Sequence, residues 1–165
     1  MTGNTLTVAS LTAQAFAPYG DLIEPRGAPS KMINQGFCAR HDDLAKLDFA
    51  DGRAGISLFD AQARKLPYSV DMVERHPMGS QAFLPLSPVR FLVVVANDAG
   101  DRPGQIMAFL TAPGQAINLH RGVWHGVLAP IGSPGLFAVV DRIGTGTNLE
   151  EYWFERPYLV EHVPD

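Results

Sequence analysis

From residue 55 to residue 143 glycine and proline cut the chain into short apolar segments, and this spacing is what most limits the fold. Six segments are rich in β-branched and aromatic residues: GISLFDA (55–61), YSVDMVERH (68–76), QAFLPL (81–86), RFLVVVAND (90–98), QIMAFLTA (105–112) and GLFAVVDRI (135–143). Their composition and turn-rich boundaries predict strands. Helical periodicity is scarce. SLTAQAFAPYG (10–20) is predicted as one short helix, capped by Ser10 or Thr12 and stopped at Pro18 to Gly20. A second helical piece is expected around Asp43 to Phe49. Several short strands with little helix imply a mainly β protein, a sandwich or barrel. FLVVVA (91–96) lacks alternation, so both of its faces are expected to be buried. The tail NLEEYWFERPYLVEHV (148–163) is aromatic and charged and is expected to pack across an end of the barrel or onto a partner subunit.

At 165 residues the chain is expected to form one domain with a sizeable core. Thirteen basic and 17 acidic residues give a net charge of −4, and no basic run or stripe occurs. Nucleic acid and anionic membrane are therefore excluded as expected partners. No apolar stretch approaches the length of a membrane span. The start, MTGNTLTVASLTAQAF, has neither a basic region nor a long apolar stretch of the kind that opens a signal peptide. The single cysteine, Cys38, has no partner within the chain and no catalytic signature around it. These features fit a protein of the reducing cytoplasm.

YSVDMVERH poses the question of function. On a strand, Val70, Met72, Glu74 and His76 share one face, and Ser69, Asp71, Val73 and Arg75 the other. The first face begins apolar and should point inward, which takes Glu74 and His76 inward too. A buried carboxylate needs a cation, a metal or hydrogen-bond donors. Taken alone, this strand is better read as a buried ion pair beside a packed histidine. The stretch GQAINLHRGVWHGVLAP (114–130) changes that balance. It opens on Gly114, places Gly122 eight residues on and His125 three beyond, and carries His120 between them. A β-barrel could bring the two segments together.

The two segments resemble the paired motifs of the cupin superfamily, jelly-roll β-barrels that hold a metal or ligand in the barrel mouth. Glu74 stands where the first histidine of the first motif would be, His76 is the second, and Gln81 replaces the acid. Gly114, Gly122 and His125 match the second motif, with His120 in its proline position. Over most of its length the chain resembles the ureidoglycolate lyase family. The carrying blocks are AFAPYGDLIE (15–24), MINQGFCAR (32–40), VERHPMGSQAFLPL (73–86), NLHRGVWHGVLAP (118–130) and VVDRIGTGTNLE (139–150).

The resemblance implies cleavage of ureidoglycolate to glyoxylate and urea in allantoin breakdown. It also implies a cupin-type jelly roll and a divalent metal ion, with nickel suggested as a helper that need not be essential. Glu74, His76 and His125 are the candidate metal ligands, since two imidazoles and a carboxylate are the ligand types of a facial site. The same residues are candidate acid–base groups, with His120 as candidate proton donor to the leaving urea. Gln81, Arg40 and Asn34 are candidate substrate-binding residues. Two other readings stand beside the lyase: an amidohydrolase releasing ammonia and carbon dioxide from the same substrate, and a non-catalytic cupin that binds a small acid. The apolar strand and the aromatic tail both ask for cover, so a homodimer is expected.

Overall fold

The computed structural model describes residues 4–165. Its strands are β1 (Asn4–Thr5), β2 (Val8–Ser10), β3 (Gly20–Ile23), β4 (Lys31–Ile33), β5 (Cys38–Arg40), β6 (Arg53–Ala61), β7 (Tyr68–Arg75) and β8 (Gln81–Pro85). They continue as β9 (Arg90–Ala96), β10 (Met107–Leu110), β11 (Ala116–Leu119), β12 (Trp124–His125), β13 (Ala129–Ile131), β14 (Gly135–Ile143) and β15 (Glu150–Val160). The smaller sheet runs β3-β11-β8-β14-β6. The larger runs β1-β15-β7-β12-β9-β10-β2, with β13 also on β9. From β6 onward the chain crosses repeatedly between the sheets, and the orders β6-β14-β8-β11 and β7-β12-β9-β10 are those of a jelly roll. The expected cupin-type architecture is therefore present, and all six predicted strands occur within two or three residues of their expected ends. Among the described residues no helix is long and apolar enough to cross a membrane.

Between the sheets lies one apolar core, in which Phe16, Phe91, Val95, Phe137 and Val139 are almost wholly buried. A second cluster lies on the back of the larger sheet, where Leu92, Val94 and Ala96 meet Leu6, Val8, Trp124 and Val160. Strand β9 is thus buried on both faces, as its lack of alternation predicts, and the second cover comes from the chain's own two ends.

Several expectations are corrected. The helix is a single turn, Ala13–Phe16, with the Thr12 hydroxyl accepting the Ala15 N–H at 3.2 Å. Residues 43–49 form no helix; they cross the outer face of the smaller sheet, where the Ser80 N–H reaches the Asp48 carbonyl. The tail is not draped over an end: β15 is the longest strand and pairs with β7. Nor is β7 a simple two-faced strand. Val73, assigned to the outward set, is fully buried in the same cluster as Val70. A register shift in β15 between Trp153 and Tyr158 breaks the alternation, and the back of this sheet is core rather than solvent.

Phe91 and Phe137 meet edge to face at 5.1 Å across the two sheets. Replacing Phe137 with Ala leaves a void that two rigid sheets cannot close, at an expected cost of about 3–5 kcal/mol. Urea denaturation of the variant tests this, and a loss under about 1 kcal/mol would show that the sheets relax around the site.

Candidate active site

Three strands assemble the site. In the larger sheet His125 stands opposite Glu74 on one side and Val95 on the other. Val95 belongs to the core between the sheets, so all three side chains point inward. Gln81 opens β8 in the facing sheet, on the same inner face as Phe83. His76 lies just past the end of β7, where its carbonyl accepts the Gly122 N–H at 3.0 Å. Gly122 has φ +79°, a left-handed turn conformation that glycine adopts without cost.

These residues converge. The ring centroids of His76 and His125 are 5.1 Å apart, and His76 Nε2 lies 4.0 Å from Glu74 Oε1. One ligand atom from each of Glu74, His76 and His125 falls within 4.8 Å of the other two. Glu74, Gln81 and His125 line an open cavity of about 410 Å³, whose wall also includes Phe59, Asp60, Phe83, Val127 and Leu128. Among the described residues lining it there is no Lys or Arg.

The hydrogen bonds decide how the polar atoms are presented. His125 Nδ1 donates to the Gly126 carbonyl at 3.1 Å, which leaves Nε2 a bare lone pair, buried and without a partner. Burial, helped by the neighbouring His76 and opposed by the Gly126 carbonyl, pushes the His125 imidazole down to about 3. His76 Nδ1 donates to the Asn148 carbonyl at 2.8 Å, and its Nε2 lies 3.0 Å from Gln81 Oε1. Burial raises the Glu74 carboxyl above its ordinary 4.5; His76 opposes this and Glu151, opposite it on β15, adds to it.

The other candidates stand elsewhere. His120 faces outward from the smaller sheet, 3.2 Å from the Asp21 carboxylate. Burial pushes the Asp21 carboxyl up, but bonds from Asn118, the Lys46 backbone and His120 hold it below 3.8. Arg40 is exposed and ion-paired with Asp42. Asn34 lies in the turn between β4 and β5 with φ +53°. None of the three lines the cavity. Two residues not singled out from the sequence do reach the site: Asp141, which accepts from Gln81 Nε2 at 3.2 Å, and Asn148. Asp141 carried the same signal as Glu74, an acid ending an alternating apolar strand.

A family model described as ureidoglycolate lyase matches residues 3–161. The chain belongs to the ureidoglycolate lyase family. It is 65% identical over 157 residues to a ureidoglycolate lyase of Rhodobacter capsulatus, covering 94% of this chain and 98% of that one. It is 48% identical to ureidoglycolate lyase 2 of Rhizobium meliloti, covering 95% and 98%. Among solved structures, RmlC from Streptococcus suis in complex with dTDP-D-xylose aligns at a TM-score of 0.42 and 11% identity, covering 88% of this chain and 74% of that one.

The side chains of this family member fit a divalent cation. Each histidine has its Nδ1–H on a backbone carbonyl, which turns a bare Nε2 toward the site, as metal-binding imidazoles require. That of His125 is buried without a partner, and the half-buried Glu74 carboxylate and Gln81 Oε1 add two more lone-pair donors.

The buried imidazole has a consequence for stability. Folded His125 gains its proton near pH 3 and an unfolded one near 6.5, so below about 6.5 the unfolded chain binds more protons. The stability of the metal-free protein should therefore fall as pH drops from about 6.5 toward 3, by on the order of 4 kcal/mol at the lower limit. Glu74, shifted upward, acts in the opposite sense just above 4.5. Denaturation midpoints of wild type and His125→Asn across this range isolate the histidine, and equal slopes would remove it as the cause.

Proposed function

We propose that the protein is a ureidoglycolate lyase that splits ureidoglycolate into glyoxylate and urea. The observation that carries this reading is a half-buried carboxylate, Glu74, beside the bare Nε2 of His125 in a cavity sized for a small molecule. In the substrate a hydroxyl and a ureido nitrogen share one carbon. Removing the hydroxyl proton turns the C–O bond into a carbonyl, the C–N bond breaks, and the nitrogen leaves as urea once it gains a proton. Glu74 can serve both ends: one oxygen takes the hydroxyl proton, and the resulting acid returns it to the departing nitrogen. Burial suits the group to this, because a carboxyl raised toward working pH accepts and releases a proton more evenly.

The substrate also carries a carboxylate, and the lining offers no Lys or Arg to meet it. Glu74, His76, Gln81 and His125 would hold a divalent ion, nickel being the one the family resemblance suggests; bound there, it supplies charge to grip the carboxylate and acidify the hydroxyl. Phe59, Phe83 and Val127 give the cavity an apolar wall beside Asp60.

The expected assay result is equimolar urea and glyoxylate from ureidoglycolate, with Glu74→Gln slower by about 100- to 10,000-fold. Chelation should lower turnover and added nickel should restore it; turnover indifferent to chelation would leave the side chains alone with the chemistry. Ammonia in place of urea would identify an amidohydrolase, and binding of glyoxylate with no turnover a non-catalytic cupin.

We place the enzyme in the cytoplasm, on its single cysteine and its lack of any feature needing an oxidising compartment. We also read it as a homodimer. The support lies on the outer face of the smaller sheet, where Leu58, Ala138 and Leu84 stand side by side and Ile56, Leu86 and Leu136 extend the patch. Phe37, 90% exposed in the turn of the β4–β5 hairpin, adds to the apolar surface. A lone soluble subunit rarely leaves so much apolar surface open. Light scattering should give twice the 17.9 kDa chain mass, and Leu58→Asp should shift it to one.

A further inference from the structure

We propose that Asp141 is a positioning residue that fixes which end of the Gln81 amide faces His76 and so makes Gln81 an oxygen ligand for a divalent cation. The inference rests on the reading of Glu74, His76 and His125 as ligands of that ion.

A glutamine amide has a donating end and an accepting end of nearly equal shape. Which end points where is set by its neighbours. Gln81 is buried, 6% exposed, and lies between two groups: His76 Nε2 at 3.0 Å and Asp141 Oδ2 at 3.2 Å. The pairing of Ala82 with Val140, continued by one residue, sets Gln81 opposite Asp141 on the inner face. An ionised carboxylate only accepts, so the NH2 end of Gln81 must turn toward Asp141. Oε1 is thereby forced toward His76.

His76 is constrained from its other side. Its Nδ1 faces the Asn148 carbonyl, which also only accepts, so the hydrogen of a neutral ring belongs on Nδ1. Asn148 is itself tied down, its side-chain oxygen accepting the Met78 N–H at 2.7 Å. The neutral ring then turns a bare Nε2 toward Oε1. Two lone pairs 3.0 Å apart repel each other unless a positive charge is shared between them. Two ligands held at about 2.1 Å from one ion and at right angles are separated by about this distance. Asp141 therefore excludes the alternative in which Gln81 donates to His76 and satisfies it without a cation. Among the described residues, the side-chain hydrogen bond of Asp141 is the one it accepts from Gln81.

The test is nickel binding to chelated, purified protein by calorimetry, for wild type, Asp141→Ala, Asp141→Asn, Gln81→Ala and the Gln81→Ala/Asp141→Ala pair, with melting curves of each. Asp141→Ala should weaken nickel about 10- to 100-fold. Asp141→Asn should stay within about threefold, because its amide oxygen can accept the same bond. In the Gln81→Ala background, Asp141→Ala should change nothing further, since its effect passes through the amide. Wild-type affinity in Asp141→Ala, equal losses in the Ala and Asn variants, or an undiminished loss without Gln81 would each overturn the proposal. So would a wild-type protein that binds no nickel. These readings need no substrate, so a protein that binds nickel as described but makes no urea would sink the lyase reading alone.

Discussion

The two-residue strand β12 holds His125 between Glu74 and Val95, and every feature of the cavity depends on that register. A slip of one residue would send Trp124 into the barrel and His125 out of it, because strand side chains alternate. So short a strand cannot fix its register by its own ladder. The back of the sheet does it instead. Trp124 is 2% exposed there, donates its indole N–H to Asp98 at 3.0 Å, and lies under the Arg75 guanidinium at 4.5 Å. Arg75 in turn bridges Glu150, Asp98 and Asp101. The aromatic tail completes the clamp, with Tyr152 edge-on to Trp124 at 6.2 Å. Residues that never touch the cavity thus decide which side chain enters it.

The cavity works against folding. Glu74 and His125 are each shifted toward their neutral forms by burial, and the His125 Nε2 is left with no partner at all. An unsatisfied buried acceptor costs about 1–3 kcal/mol. The double core offsets this: β9 is packed on both faces, and the two ends of the chain cover the back of the sheet. A jelly roll packed on one face only would have less margin for a hole lined with lone pairs.

Much of this was legible from alternation, and its failures follow the same rule. Glu74 faces inward as expected, although Val70, assigned to the same face, joins Val73 in the back cluster; Asp141 follows Phe137 and Val139 on the inner side of β14 and ends an apolar inner face. His120 was placed near the site by its slot in a motif. Yet Ile117 and Leu119 point into the core, so the alternation of β11 turns Asn118 and His120 outward, where Asp21 holds both. Val70 escaped because the bulge in β15 opposite β7 resets the faces, and bulges leave no periodic mark. The tail reads as a strand once Tyr152, Phe154 and Tyr158 are seen to share the back cluster, but Pro157 in its midst argues against that from sequence alone. Hydrogen-bond direction, which sets the His76 ring on Asn148 and the Gln81 amide on Asp141, exists only in three dimensions.

Those bonds also bear on how an anion is received. The polar atoms of the site are mostly acceptors, and those of His76, Gln81 and His125 are aimed by groups that can only accept. Such a surface repels a carboxylate substrate as it stands. A site that relied on Arg or Lys would carry its charge permanently and bind any small acid. Here a bound cation would bring the charge in, and Glu74, His76, Gln81 and His125 would hold it. Selectivity would then rest on the substrate's offering a hydroxyl beside its carboxylate, with an oxygen of Glu74 placed to take the hydroxyl proton.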